Sequence, residues 1–310
     1  MSTGIPHVAR STRLSDLLVL RPRLLILLLL LPPLLWLGII YLGSLLLLLA
    51  QAFFALDDFS GVVVYDPTLA TLAQLFQPAN LDILWRTVLI ALVVTCLSVT
   101  LAFPLAYYAA RHARGWKRPC LYLAVMMPLW SSYLVKVYAW KLLLSREGAI
   151  GWMAEALHAT PLLSAWLALP VLGGPSLSTS YTGMVLVFTY LWLPFMILPL
   201  QTVLERLPQS LLQAASDLGA TPWRRFVDIV LPLSLPGVVA GAIFTFSLTL
   251  GDYIVPQIVG TSALVLGQAV YTLQGTAGNL PLAAAFAIVP ILIMIVFLAV
   301  AKRTGAFDAL

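Results

Sequence analysis

Six apolar stretches, each long enough to cross a bilayer, take up most of this 310-residue chain. They run from about Leu24 to Phe54, Thr87 to Ala110, Cys120 to Leu144 and Thr182 to Leu204, then from after Pro236 to near Val259, and from Pro281 to Ala301. A hydrocarbon core takes roughly 20 apolar residues as a helix. A helix closes its backbone hydrogen bonds within itself, which lipid demands. The pattern predicts an all-α, polytopic membrane protein with six transmembrane helices. Pro32 and Pro33 interrupt the first stretch, and membrane helices tolerate that. A seventh apolar run, Leu162 to Leu172, is too short to span and reads as a surface or re-entrant piece.

Composition agrees. Hydrophobic residues make up 61% of the chain and charged residues 9%, against about 25% charged in a soluble domain. This excludes a soluble enzyme, a disordered chain and a disulfide scaffold. Cys96 and Cys120 fall in or beside apolar runs, so neither a disulfide nor a metal pair is expected. His7, His112 and His158 lie far apart and form no ligand cluster. The first stretch has basic residues before it (Arg10, Arg13, Arg21, Arg23) and Ala50-Gln51-Ala52 behind it, as a signal peptide would. Signal cores are only about 7–15 residues long. This run is about twice that, which favours an uncleaved span.

Basic residues set the orientation. Thirteen of the 17 Lys and Arg fall in the N-terminal tail, the 111–118 segment, the loop between spans four and five, and the C-terminal end. The opposite side has Arg86 and Arg146 at span ends, with Asp57, Asp58, Asp66, Asp82, Glu147 and Glu155. The positive-inside rule then predicts both termini in the cytoplasm. The excess of positive charge reads as this bias, not as a nucleic-acid surface. The expected organisation is a cytoplasmic tail (1–23), a six-span domain (24–301) with a cytoplasmic loop at about 205–236, and a cytoplasmic tail (302–310).

That loop is the most informative part of the chain. Residues 208–232 read as two short helices. Leu211, Leu212, Ala215 and Leu218 share a face at helical spacing. Gly219 falls where a helix end takes a left-handed residue. Thr221 suits an N-cap and Pro222 the first helical position. Trp223, Phe226, Val227 and Val230 make a second apolar stripe, with Pro232 and Pro236 expected to stop it before span five. Small Ala214 and Ala215 permit close approach by another surface. The plain alternative is an amphipathic loop lying on the membrane.

Gln213-Ala214-Ala215, Gly219 after three intervening residues, and Ile229-Val230-Leu231-Pro232 after nine more resemble the coupling motif of bacterial ABC importer permeases. That motif usually begins with Glu, so Gln213 keeps the length and loses the charge. Further segments are similar to the spermidine/putrescine (PotB-type) permeases, in their YdcU-like branch: Met127 to Trp140, Leu193 to Pro199 and Phe246 to Pro256. The resemblance implies an ATPase-coupling site at Gln213, Ala214, Ala215, Asp217, Gly219, Ile229, Leu231 and Pro232. It implies a cytoplasmic ABC ATPase dimer, a second permease subunit, identical or different, and a periplasmic solute-binding protein, all working within membrane lipid. ATP and Mg would sit on the ATPase and no cofactor on this chain, which contains no phosphate loop. The implied activity is import of polyamines or a related small organic solute, by a subunit that is not itself an enzyme.

Three other classes compete. An ion-coupled secondary transporter usually has internal repeats and several intramembrane charges; the chain has no detectable repeat and few such charges. A structural membrane protein would need no motif spacing. A membrane enzyme would draw on Glu147, Glu155 and His158, which pair with no visible nucleophile.

Charges inside a membrane need a partner or a role. Lys136 lies 16 residues after Cys120, roughly 24 Å along a helix. Asp252 lies 15 residues after Gly237, roughly 22 Å by the same rise. Their depths match, so they are expected either to pair or to leave Asp252 facing a cationic solute. Lys141 is far enough out to snorkel. Tyr138, Trp140, Tyr190, Trp192 and Tyr253 offer faces to a cation, or belong to the interfacial aromatic belt, which depth favours for Trp140. The candidate translocation path is therefore Lys136, Tyr138, Trp140, Trp192, Asp252 and Tyr253.

Overall fold

The computed structural model describes residues 22–57 and 59–303, which form two units. The proposed tails fall almost wholly outside these residues. The first unit is one continuous helical rod. It comprises α1 (Pro22–Leu35), a π-helical stretch (Trp36–Leu42) and α2 (Gly43–Ala50). It carries Pro32 and Pro33 internally, and its described side chains are apolar and exposed all round. A helix that is hydrophobic on every face is built for lipid or for another helix.

The second unit begins at Ala52. A small antiparallel hairpin, β1 (Ala55–Leu56) with β2 (Val63–Val64), is the only sheet among the described residues. It leads into α3 (Ala70–Gln74) and then α4 (Pro78–Arg111). After these come α5 (Lys117–Trp130), α6 (Tyr133–Leu144), α7 (Ala149–Ala156), α8 (Thr160–Leu167) and α9 (Tyr181–Arg206). The loop region holds α10 (Gln209–Asp217) and α11 (Pro222–Arg225). The chain ends with α12 (Leu231–Gly251), α13 (Ile254–Ile258), α14 (Leu266–Gln274) and α15 (Leu280–Arg303).

α4, α9 and α12 pack on one another, and α15 lies against α12. Ala102, Phe103 and Ala106 of α4 meet Met196, Ile197, Leu200 and Leu204 of α9 and Ala242 of α12. Lipid gives no hydrophobic drive for helices to associate, so packing rests on close contact. At Gly241 a Cβ would lie 2.5 Å from the Met196 sulfur and 3.0 Å from its Cα. Glycine lets α12 cross α9 there without displacing Met196. Two buried hydroxyls are satisfied locally: Thr95 and Thr249 donate to carbonyls four residues back, both at 2.7 Å. Thr87 bonds between elements, donating to Ile83 and accepting from the Leu266 N–H at 2.9 Å.

Among the described residues, five helices are long and apolar enough to span, and a bent pair makes up to six. Two expectations need correction. Span three is not one straight helix: it breaks between α5 and α6 with a bend of 98°. Ser131 and Ser132 take extended conformations at the break. The Pro128 carbonyl is satisfied there by the Ser131 hydroxyl at 3.0 Å and the Lys136 ammonium at 2.7 Å. Nor do Pro232 and Pro236 end the second loop helix. A π-helical turn, Phe226–Val230, joins α11 to α12, so one helix runs from Pro222 to Gly251. Proline removes one i→i−4 bond and crowds a carbonyl; a π turn just before Pro232 shifts the ladder by a residue and absorbs the mismatch. Span five instead breaks after Gly251, at Asp252 and Tyr253.

The short apolar run is a surface piece, with Leu162, Trp166 and Val171 exposed on and just after α8. His158 takes a left-handed conformation (φ 54°) at the end of α7, where Ala159 N–H bonds back to Ala154. It has a helix-ending role, and Glu147 and Glu155 are exposed.

Candidate coupling loop and translocation path

α9 ends at Arg206, and Pro208 extends the chain into α10. The Arg111 guanidinium at the end of α4 donates to the Leu207 carbonyl at 2.7 Å, tying the loop to the bundle. α10 ends as the spacing predicts. Gly219 has φ +79°, its N–H bonds Ser216 O and the Ala220 N–H bonds Ala215 O, both at 2.9 Å. Those two bonds make a Schellman ending. Thr221 caps the next helix by accepting from the Arg224 N–H. Arg225 then reaches back to the Ser216 hydroxyl at 2.6 Å, bracing α11 against α10. Phe226 packs edge-on to Phe103 and Tyr107 of α4, with centroids 5.4 and 6.1 Å away. The loop is thus a braced unit rooted in the core.

Its outward surface is apolar at two points, with Leu218 88% and Trp223 71% exposed. Leu218 therefore parts from Leu212, with which it was expected to share a face; Leu212 packs against the α4–α9–α12 core. Gln213, Ala214 and Asp217 are exposed and Ala215 is half-buried. Ile229 lies in the π turn, with Leu231 and Pro232 opening α12. Glu205, not singled out from sequence, accepts from Tyr122 and from Gln201 (3.2 Å) and pairs with Arg118 at 2.9 Å. This network ties α5 to the end of α9. Its sequence signal was an acidic residue one position before a span-ending arginine.

The second constellation gathers at the two helix breaks. Asp252 does not pair with Lys136. Its carboxylate accepts from the Tyr133 hydroxyl and from the Val255 N–H at 2.9 Å. Lys136 is occupied by the Pro128 carbonyl. The expected match in depth assumed one straight span, and the 98° bend at Ser131–Ser132 redirects α6 and removes it. Trp192 stacks on Tyr133 with centroids 6.0 Å apart and meets Phe195 edge-on. Its indole N–H is buried without a hydrogen-bond partner among the described residues. Tyr253 stacks on Tyr271 at 4.7 Å. Trp140 packs on Tyr190 at 5.2 Å, and both lie against the apolar cluster that holds Trp192. Tyr138 is 53% exposed. The structure therefore joins Asp252 to Trp192 through the unforeseen Tyr133, while Lys136 turns to the Pro128 carbonyl instead. No group of His, Cys, Asp and Glu suited to a metal occurs among the described residues.

A helical membrane bundle with a braced, outward-facing loop and paired helix breaks defines a membrane-embedded transport subunit. The chain belongs to the family of binding-protein-dependent transport system inner membrane components, whose profile matches residues 102–304. It is 55% identical over 289 residues to the inner membrane ABC transporter permease protein YdcU of Escherichia coli (strain K12), covering 93% of this chain and 92% of that one. It is 30% identical to the spermidine/putrescine transport system permease protein PotB of Haemophilus influenzae, over 74% of this chain and 76% of the relative. A chain of the crystal structure of a bacterial alginate ABC transporter, in complex with alginate pentasaccharide-bound periplasmic protein, shares the fold. Its TM-score is 0.68 at 16% identity, with 96% of this chain and 98% of that chain covered. The protein is thus a permease subunit of an ABC importer, a multi-pass inner-membrane component, and the ion-coupled and enzyme alternatives fall away.

Proposed function

We propose that this permease moves polyamines, or another small organic cation of that kind, from periplasm to cytoplasm. It would do so with a second permease subunit, a periplasmic solute-binding protein and a cytoplasmic ABC ATPase dimer that carries ATP and Mg. Both termini and the 205–236 loop face the cytoplasm, a reading supported by the 13 of 17 basic residues on that side. The ATPases dock on α10 and α11, where Leu218 and Trp223 offer apolar anchors and exposed Gln213, Ala214, Asp217 and Gly219 complete the face. The braces through Arg225, Phe226 and Arg111 let a push on the loop reach α4 and α12 as a rigid displacement. Ile229, Leu231 and Pro232 lie on that route.

The observation that carries the solute reading is the Asp252 carboxylate at the break of span five, bound by Tyr133, whose ring stacks on Trp192. A carboxylate beside aromatic faces suits an ammonium group. Tyr253 and Tyr271 add a second stacked pair beside it. The cation would replace Tyr133 as the partner of Asp252. Uptake of labelled putrescine and spermidine by the full transporter in proteoliposomes tests this. Asp252→Asn is expected to raise the apparent KM about tenfold or more, from the ~1.5–3 kcal/mol of a hydrogen bond to a charged group. Tyr133→Phe should leave uptake of the amine largely intact. Unchanged uptake and affinity in Asp252→Asn would remove the cation site.

A further inference from the structure

Away from both sites, α4 and the start of α9 bound a cleft of 420 Å³. Its walls are aliphatic, with Leu89, Val93 and Leu97 on α4 and Val185 on α9. Its mouth is different. Asp82 and Arg86 form an ion pair there, with side chains 61% and 22% exposed, and Arg86 also donates to the Leu264 carbonyl at 2.9 Å. Trp85 and Trp166 flank the mouth, 69% and 45% exposed. Tryptophan in such a position marks the membrane–water interface. From Arg86 to Leu97 the helix rises roughly 16 Å. That is about half of a ~30 Å hydrocarbon core, the depth of one leaflet. The cleft therefore starts at headgroup level and ends near the midplane.

We propose that this cleft binds one acyl chain of a zwitterionic phospholipid, with the lipid phosphate on Arg86 and its ammonium on Asp82. Charge complementarity selects the headgroup. A guanidinium and a carboxylate one helical turn apart present both signs and no net charge. Arg86 offers a forked donor to phosphate, and Asp82, the more exposed of the two, is free to turn towards an amine. An anionic headgroup would meet the Asp82 carboxylate with no amine to offset it.

The test uses the full chain, reconstituted in nanodiscs of equimolar phosphatidylethanolamine and phosphatidylglycerol, with retained lipid counted by native mass spectrometry after extraction. The wild type is expected to retain phosphatidylethanolamine in preference. Asp82→Asn, an exposed change that leaves Arg86 bonded to Leu264, should shift the retained ratio towards phosphatidylglycerol about two- to fivefold, the range of an exposed ion pair. Val93→Trp should fill the cleft and release both lipids. Equal retention of the two lipids by the wild type, an unchanged ratio in Asp82→Asn, or full retention by a folded Val93→Trp protein would overturn the proposal. Capture of a polypeptide instead of lipid by a photo-crosslinker at position 93 would do the same. Should Val93→Trp fail to fold, the Asp82→Asn ratio still decides.

Discussion

Replacing Gly219 tests whether the loop transmits force as a shaped element. Its φ of +79° lies in the left-handed region, and nothing lies within 4 Å of where a Cβ would stand. Within the chain a substitution there meets no steric wall, so its effect on the loop itself is conformational. An L-residue in the left-handed region costs roughly 1–2 kcal/mol, and a β-branched one sits at the upper end. If α10 unwinds instead, the Gly219–Ser216 and Ala220–Ala215 bonds go, each worth about 0.5–1.5 kcal/mol net. Either way the native ending loses about 5- to 30-fold in population. Asn tolerates this region far better than Val. We expect ATPase stimulation by the solute-loaded binding protein to follow the order Gly, Asn, Ala, Val, with Gly219→Val several-fold down while its amount in the membrane stays normal. Transport and stimulation by Gly219→Val equal to wild type would refute the coupling role of the loop.

Gln213→Glu should be tolerated, since Gln213 is exposed and Arg111 and Arg225 line the same small cavity; a severalfold loss of ATPase stimulation would count against the placement of the motif. Gly241→Ala should lower the thermal midpoint of the solubilised protein, because forcing a methyl against Met196 overpacks the α9–α12 crossing by about 1–3 kcal/mol; an unchanged midpoint would mean the crossing relaxes freely. Asp66→Cys should be labelled by a membrane-impermeant thiol reagent from the periplasmic side, in a background where Cys96 and Cys120 are replaced; labelling only from the cytoplasmic side would invert the topology.

Much of the fold was legible because a bilayer leaves few choices. Spans four and six match their helices to within two residues at each end, and the helix ending at Gly219 followed from residue chemistry alone. What escaped was direction. Hydropathy averages over Ser131-Ser132, so the 98° bend in span three leaves no trace in an apolar count. Proline reads as a stop in water, yet Pro232 and Pro236 stay within a helix that a π turn makes room for. Counting residues along two straight spans matched Lys136 to Asp252, but the break between α5 and α6 undoes that count for Lys136. Tyr133 was hidden for a related reason: it opens α6 beyond the bend, 119 residues from its partner.

Solute uptake with the energy source under control decides the matter. The permease, reconstituted with its partner permease, ATPases and binding protein, should accumulate labelled spermidine or putrescine only when ATP is present on the ATPase side. Accumulation should survive collapse of the ion gradients, and a version lacking the ATPases should show none. Uptake that persists without ATP and disappears when the gradients collapse would contradict it.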